Sequence, residues 1–141
     1  MNQKLPIGIQ TFAKIRDNNE YLYIDKTKQI YDLISSGSIY FLSRPRRFGK
    51  SLLISTLEQI FKGNKQLFKN LYLEKTDYDW LEYPVIRIDF SSICKDSVNE
   101  LKDGVKRELE RIANNYQIKL QEKSALECFK SLIIKLSQKN K

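Results

Sequence analysis

Short continuous runs of hydrophobic and β-branched side chains predict where the chain forms β-strands. Residues 21–24 are a short β-prone run, and residues 38–43 form a longer run of the kind found in buried strands. Residues 85–90 follow Pro84 and form a third run, which Arg87 interrupts. The pattern therefore predicts two firm strands, residues 38–43 and 85–90.

Between and after these runs, hydrophobic residues recur at the three- and four-residue spacing of helices. A helix is predicted between Asp25, which offers an N-cap, and Gly37, which fits the position just after its end, and a second helix runs from Lys50 to a stop at Gly63. A short helix around residues 67–71, a long one that Ser97 caps and a last one near the end follow. The predicted hydrophobic faces of the two final helices are Val98, Leu101, Val105, Leu109, Ile112 and Tyr116, and Leu126, Phe129, Ile133 and Leu136.

The order strand, loop, helix, strand, helix predicts an α/β domain whose parallel sheet has flanking helices. With 141 residues, the chain has room for one compact domain. We assign residues 1–136 to this domain, and we expect the polar residues 137–141 to be a frayed tail.

Composition excludes several classes of protein. No apolar run approaches the roughly 20 residues of a membrane helix, and the N-terminus has no apolar stretch of signal-peptide type, so we expect a cytoplasmic protein. Histidine is absent and Cys94 and Cys128 form no C-x-x-C pair, which argues against a structural zinc site. The count allows one disulfide, but buried free thiols fit a reducing cytosol better.

The net charge of +8 favours polyanionic partners: nucleotides, nucleic acid or an acidic protein. Lysines are spread along the chain and mostly solvate helix faces. Arg44, Arg46 and Arg47 are the exception, because three guanidinium groups fall within four residues.

These arginines lie in a loop, residues 44–51, that follows a predicted strand and opens a predicted helix. Phosphate-binding loops have the pattern G-x-x-x-x-G-K-[ST] in this setting. Gly49, Lys50 and Ser51 match its end, whereas Arg44 stands at the first glycine position. The alternatives are a strand-to-helix turn that matches by chance, and a nucleic-acid patch in which Phe48 stacks on a base.

The chemistry of the loop suits a nucleotide with Mg²⁺. Backbone N–H groups around residues 47–51 would form a nest for phosphate oxygens, reinforced by the start of the helix. Lys50 would reach the β- and γ-phosphates, and the hydroxyl of Ser51 would bind Mg²⁺. The predicted ATP-binding residues are Arg46, Arg47, Phe48, Gly49, Lys50 and Ser51.

Several segments together resemble a known family. They are residues 5–10, 23–27, 41–51 and 83–91, of which the string Arg-Pro-Arg-Arg-Phe-Gly-Lys-Ser is the most specific. The chain resembles the bacterial AAA-ATPase-like family, P-loop NTPases that are often followed by a PD-(D/E)XK nuclease-like domain. The resemblance implies that Lys50 and Ser51 are the phosphate and magnesium residues, and that residues 5–10 and 23–27 lie near the base.

An ATPase of this kind also needs an acidic residue at a strand end to orient Mg²⁺, and a second carboxylate for the attacking water. In the family, that strand follows the last helix, and this chain stops at Lys141. Asp89 is the only rival, and a structural, N-cap-like role competes with a metal role there.

The resemblance thus implies an N-terminal portion that binds ATP without efficient hydrolysis. Its partner would be a missing C-terminal half or a nuclease-like domain. A truncated gene, a decayed copy and one half of a split pair remain open. A basic nucleic-acid-binding module and a non-functional remnant are the alternative functions.

Overall fold

The computed structural model describes residues 3–17, 20–93 and 97–139. The chain divides into two compact units between Tyr83 and Pro84, and we call them the N-terminal unit and the C-terminal unit. No helix within the described ranges combines the length and the apolar character that crossing a lipid bilayer requires.

The predicted α/β fold with a parallel sheet is wrong, because the described residues contain helices and no β-strand. Extended backbone is joined only by an isolated parallel bridge between Lys4 and Tyr21. The helices are α1 (Phe12–Arg16), α2 (Thr27–Ser36), α3 (Lys50–Phe61), α4 (Val98–Asn115) and α5 (Ala125–Lys139). Three 3₁₀ helices span Lys65–Phe68, Tyr72–Lys75 and Phe90–Ser92.

Residues 38–43, predicted as a buried strand, form no regular secondary structure and are exposed to solvent. Ile39 and Phe41 are 92% and 94% exposed. A β-prone run becomes a strand only when a neighbouring strand accepts its backbone hydrogen bonds and another surface covers its side chains. The described residues supply neither to this segment.

The other predicted strand, residues 85–90, forms no regular secondary structure over residues 85–89 and enters a 3₁₀ helix at Phe90; Val85, Ile86 and Ile88 are partly buried. The hydroxyl of Tyr116 accepts a hydrogen bond from the Val85 N–H at 2.7 Å and donates one to the Val85 carbonyl at 3.1 Å. Ile86 and Ile88 pack against the hydrophobic cluster of the C-terminal unit. The Tyr116 side chain therefore provides the hydrogen-bond partners of the Val85 N–H and carbonyl groups, which a neighbouring strand would provide in a sheet.

The N-terminal unit is organised around α3. Phe12, the first residue of α1, donates its backbone N–H to the buried hydroxyl of Ser55 at 3.0 Å. Arg16 then ties α1 to the first 3₁₀ segment by donating to the carbonyls of Leu67 at 2.9 Å and Lys69 at 2.6 Å. The core of this unit consists of Phe12, Ile30, Ile60, Leu67, Phe68, Leu71 and Leu73.

Lys26 is the N-cap residue of α2, so the prediction of Asp25 as the N-cap is wrong by one residue, although the Asp25 carboxylate bonds to the first residue of the helix. One carboxylate oxygen of Asp25 accepts from both the backbone N–H and the hydroxyl of Thr27, at 2.8 and 2.7 Å. The other oxygen accepts from the Tyr72 N–H at 2.7 Å, and the Thr27 hydroxyl accepts from the Leu73 N–H. The helix ends before Gly37, as predicted. Asp25 therefore fixes both α2 and the 3₁₀ segment beside it.

The C-terminal unit pairs α4 with α5. Ser97 caps α4 as predicted, with its hydroxyl accepting from the Glu100 N–H at 3.1 Å. The predicted face of α4 is confirmed at its centre, where Leu109 and Ile112 are buried.

The predicted face of α5 is largely wrong. The buried residues of this helix are Cys128, Leu132 and Leu136, whereas Leu126, Phe129 and Ile133 are exposed. Only Leu136 belongs to both sets. The helix carries more apolar residues than one face holds, so the contacts with α4 select the face. It continues to Lys139, through residues 137–139 of the predicted tail.

Cys128 is a free, buried thiol, as expected. Its burial raises the pKa of the thiol, which keeps the sulfur protonated and unreactive at neutral pH. Cys94 lies outside the described residues.

Tyr23 makes the stability of the N-terminal unit depend on pH. Burial, together with the charge of Asp25, raises the pKa of Tyr23 from 10.0 to about 12. Because the folded state holds the phenolic proton more tightly than the unfolded chain, stability should be full below about pH 10 and fall as the pH rises toward 12. Denaturant unfolding across this range should show the decline, and Tyr23→Phe should reduce it. An identical decline in the variant would contradict the assignment to Tyr23.

Candidate functional site

The predicted phosphate loop leads directly into α3. The helix begins at Lys50, as the sequence predicts, with Gly49 as its N-cap residue. Gly49 has φ 74° and Arg47 has φ 68°, so two residues within three adopt the left-handed region. A β-carbon at Gly49 would meet nothing within 4 Å, so only the backbone conformation favours glycine there.

The first turn of α3 presents unsatisfied backbone donors. Its first hydrogen bond runs from the Leu53 N–H to the Gly49 carbonyl at 2.9 Å, and no side chain caps the helix start. The N–H groups of Lys50, Ser51 and Leu52 therefore have no acceptor within the helix. Together with the positive end of the helix dipole, these donors make the turn a place where an anion is stabilised.

The Lys50 side chain folds back over the loop. Its ammonium group donates to the carbonyl of Arg44 at 2.5 Å and to the carbonyl of Pro45 at 2.8 Å. These bonds hold one positive charge beside the free N–H groups of the helix start. Both acceptors are neutral, so the charge of the ammonium is not compensated there.

The arginines of the loop add further positive charge. Arg44, Arg46 and Arg47 are exposed, and none of their guanidinium groups has an ion pair with a carboxylate in the part of the chain that the structure describes. Phe48 lies among them and is 63% exposed. The loop is therefore an open, cationic surface with one aromatic ring.

Ser51 is exposed on the first turn of α3, next to Lys50. Asp89, the other residue considered for metal binding, lies in the C-terminal unit, where its carboxylate accepts from the Ser91 N–H at 2.8 Å and caps a 3₁₀ helix. This is the structural role that the sequence left open for Asp89. Within the described residues, no three His, Cys, Asp or Glu side chains are grouped as a metal site.

The segments expected near the base are anchored elsewhere in the N-terminal unit. Leu5 and Ile7, in the segment 5–10, are exposed. In the segment 23–27, Asp25 and Thr27 accept hydrogen bonds from the backbone N–H groups of Tyr72 and Leu73, the first two residues of the 3₁₀ helix Tyr72–Lys75. Their proximity to a nucleotide base stays a prediction.

The N-terminal unit also contains a cleft that the sequence does not indicate. Its volume is about 360 Å³. Its lining consists of Tyr31, Ile34, Ser35, Phe61, Asp77, Tyr78, Asp79 and Tyr83. No local pattern in the sequence shows that Asp77 lies beside α2, where it bonds to Tyr31.

Comparison with known proteins matches nearly the whole chain to one family. The model of the family described as "Predicted AAA-ATPase" (AAA-ATPase-like) matches residues 6–141. A protein of Azotobacter chroococcum mcd 1, described as an uncharacterized protein in the vnfD 5′ region, is 55% identical over 89 residues. That match covers 62% of this chain and 17% of the relative. No solved structure matches the chain.

The family model covers nearly the full length of the chain and includes the loop at residues 44–51. The resemblance inferred from the sequence is thereby confirmed at the level of the family. The chain belongs to the predicted AAA-ATPase-like family.

Proposed function

We propose that residues 44–51 form a Walker A-type loop that binds the phosphate groups of ATP with Mg²⁺. The observation that carries the proposal is the start of α3, where uncapped N–H groups, Gly49 in the left-handed region and the ammonium of Lys50 occur together. Each of these features stabilises a bound polyphosphate.

Lys50 has the central role in this proposal. In the structure its ammonium is bonded to two neutral carbonyls, at 2.5 and 2.8 Å. Phosphate oxygens are stronger acceptors for a cation, because charge-assisted hydrogen bonds are roughly twice as strong as neutral ones. Binding would therefore transfer the ammonium from the loop carbonyls to the phosphates. Arg46 and Arg47 would add attraction at the mouth of the site.

Ser51 would provide the protein ligand for Mg²⁺. Its hydroxyl is exposed beside Lys50 and makes no hydrogen bond to the described residues. An oxygen ligand of this kind suits Mg²⁺, which usually takes its other ligands from phosphate oxygens and water. The bound ion would neutralise part of the charge on the phosphates.

Hydrolysis by this chain alone is expected to be inefficient. Asp89 caps a 3₁₀ helix through its bond to Ser91, and within the described residues no carboxylate is hydrogen-bonded or ion-paired to the loop. In P-loop NTPases an aspartate at a strand end helps to hold Mg²⁺, and a further residue orients the attacking water. The proposal is therefore limited to binding. A cytoplasmic location likewise stays a prediction.

Calorimetric titration of ATP with Mg²⁺ tests the role of the loop. Lys50→Ala removes the ammonium and should weaken binding by about tenfold to a hundredfold, as expected for a lost charge-assisted bond. Lys69→Ala makes the same change of charge at an exposed site in the same unit and should leave the affinity within about twofold. Equal affinities of Lys50→Ala and the unchanged chain would refute the proposal.

A nucleic-acid-binding surface is the second candidate, favoured by the three exposed arginines and by Phe48. The same titration with single-stranded oligothymidylate separates the two. If this candidate is correct, the oligonucleotide binds with steep salt dependence, and Lys50→Ala weakens it no more than Lys69→Ala does. If Lys50→Ala weakens binding more than Lys69→Ala does, and ATP binds more tightly than the oligonucleotide, the nucleotide site is favoured.

A further inference from the structure

We propose that the cleft beside α2 binds an organic cation, a guanidinium or an alkylammonium group. Aromatic rings and two carboxylates form its walls, and it is separate from the proposed phosphate site. The inference does not rest on ATP binding.

The aromatic walls come from three places in the N-terminal unit. Tyr31 belongs to α2, Phe61 is the last residue of α3, and Tyr78 and Tyr83 lie in the segment after the last 3₁₀ helix of this unit. The Tyr83 N–H donates to the Phe61 carbonyl at 2.6 Å, and the two rings meet edge to face with 6.3 Å between centroids. The negative faces of aromatic rings attract cations, and several rings around one space are the usual form of such sites.

The carboxylates of Asp77 and Asp79 give the cleft its charge. One oxygen of Asp77 accepts from the Tyr31 hydroxyl at 2.6 Å, and one oxygen of Asp79 accepts from the Leu81 N–H at 3.2 Å. These bonds orient both groups, and neither has a cationic partner among the described residues. In a chain with a net charge of +8, two uncompensated negative charges beside aromatic rings are complementary to a cation.

Tyr78 lines the cleft, but its hydroxyl oxygen is enclosed by the protein. It has less than 1 Å² of exposed surface and no hydrogen-bond partner in the part of the chain that the structure describes. A buried polar group without a partner is destabilising. Because this oxygen has almost no accessible surface, the attraction of the cleft for a cation is assigned to the two carboxylates and the aromatic rings.

The position of the cleft separates it from the proposed nucleotide site. Lys50 and Phe61 are the first and last residues of α3, so a rise of 1.5 Å per residue places them about 16 Å apart. The two carboxylates would also repel a polyphosphate. The negative charge of the cleft therefore favours a cation. The cation-binding proposal does not depend on the phosphate-binding proposal, so the second could be refuted while the first holds.

Titration with butylguanidinium, followed by fluorescence, tests the proposal directly. Trp80 is the only tryptophan of the chain, and its ring lies edge to face with Tyr78 at 5.3 Å, so its emission reports on the cleft. Butylurea has the same shape without the charge. We expect saturable binding of butylguanidinium in the millimolar range and at least about tenfold weaker binding of butylurea. Equal responses to the two probes, or no saturable response to either, would overturn the proposal.

Two variants locate the binding. Asp77→Asn and Asp79→Asn each remove one charge and keep a hydrogen-bond acceptor, and each should weaken butylguanidinium binding by about threefold to tenfold. Asp17→Asn makes the same change at an exposed position outside the cleft and should have no effect. Unfolding curves establish that the variants are folded. Unchanged affinity in both cleft variants would overturn the proposal.

Two further probes identify the source of the cation. A short blocked peptide with one central arginine that binds more tightly than butylguanidinium assigns the cleft to a partner protein. Equal or weaker binding of the peptide assigns it to a small molecule. Adenosine that binds more tightly than butylguanidinium and equally well to Asp77→Asn would identify a base-binding site and overturn the proposal.

Discussion

Replacing Phe68 by alanine should destabilise the N-terminal unit by about 3–5 kcal/mol, the usual cost of removing a buried aromatic ring. Phe68 is fully buried, and its ring packs against Phe12 at 4.7 Å and Trp80 at 5.0 Å between centroids. Denaturant unfolding followed by the fluorescence of Trp80 measures the change. The denaturant concentration at the midpoint of unfolding should fall, and the dependence of the free energy of unfolding on denaturant concentration should change little.

Phe41→Ala is the matched control for Phe68→Ala. The sequence predicts Phe41 inside a buried strand, whereas the structure leaves this ring 94% exposed. The same substitution should therefore change the free energy of unfolding by less than about 0.5 kcal/mol. A loss comparable to that of Phe68→Ala would show that residues 38–43 are covered in solution.

Replacing Leu132 by alanine should destabilise the C-terminal unit by about 2–5 kcal/mol, because this side chain is fully buried at the contact of α5 with α4. Trp80 belongs to the other unit, so hydrogen exchange of the α4 amides is the suitable measurement. The variant should accelerate exchange along the centre of α4, around Leu109 and Ile112.

Leu126→Ala tests the same helix with the same chemical change. Leu126 is 64% exposed, so its truncation should leave the exchange of α4 almost unchanged. The sequence pattern predicts Leu126, and not Leu132, on the buried face of α5, whereas the structure buries Leu132 and exposes Leu126. A larger effect of Leu126→Ala than of Leu132→Ala would restore the face predicted from the sequence.

Helix boundaries were predictable because their causes are local. Asp25 accepts from the backbone of Thr27, two residues away, and Ser97 accepts from the N–H of Glu100, three residues away. Gly49 precedes α3 in the left-handed conformation that glycine adopts readily. Each signal acts within one helical turn, so the sequence alone contains it.

The sheet was wrongly predicted because strand formation depends on partners that are distant in the sequence. The run at residues 38–43 has the composition of a strand, but the described residues offer it no pairing surface. At residues 85–90, the hydroxyl of Tyr116, 31 positions along the chain, bonds to the backbone of Val85. Composition cannot distinguish these outcomes.

The two candidate sites also differ in how much of each the sequence predicts. The residues of the phosphate loop are contiguous, so the order of Gly49, Lys50 and Ser51 is enough to identify them in the sequence. The cation cleft joins Tyr31 to Asp77 across 46 positions. No spacing rule connects residues so far apart, so only the folded unit brings them together.

By itself, the sequence determined the family, the positions of most helices and the candidate phosphate loop. These depend on short-range hydrogen bonds, helical periodicity and one specific string of residues. The tertiary structure alone decided which β-prone runs stay unpaired, which face of α5 is buried and where the acidic aromatic cleft lies. The free energy gained by burial or by strand pairing depends on two segments that meet only in the folded chain. A sequence pattern describes each segment separately, so it does not show which segments meet.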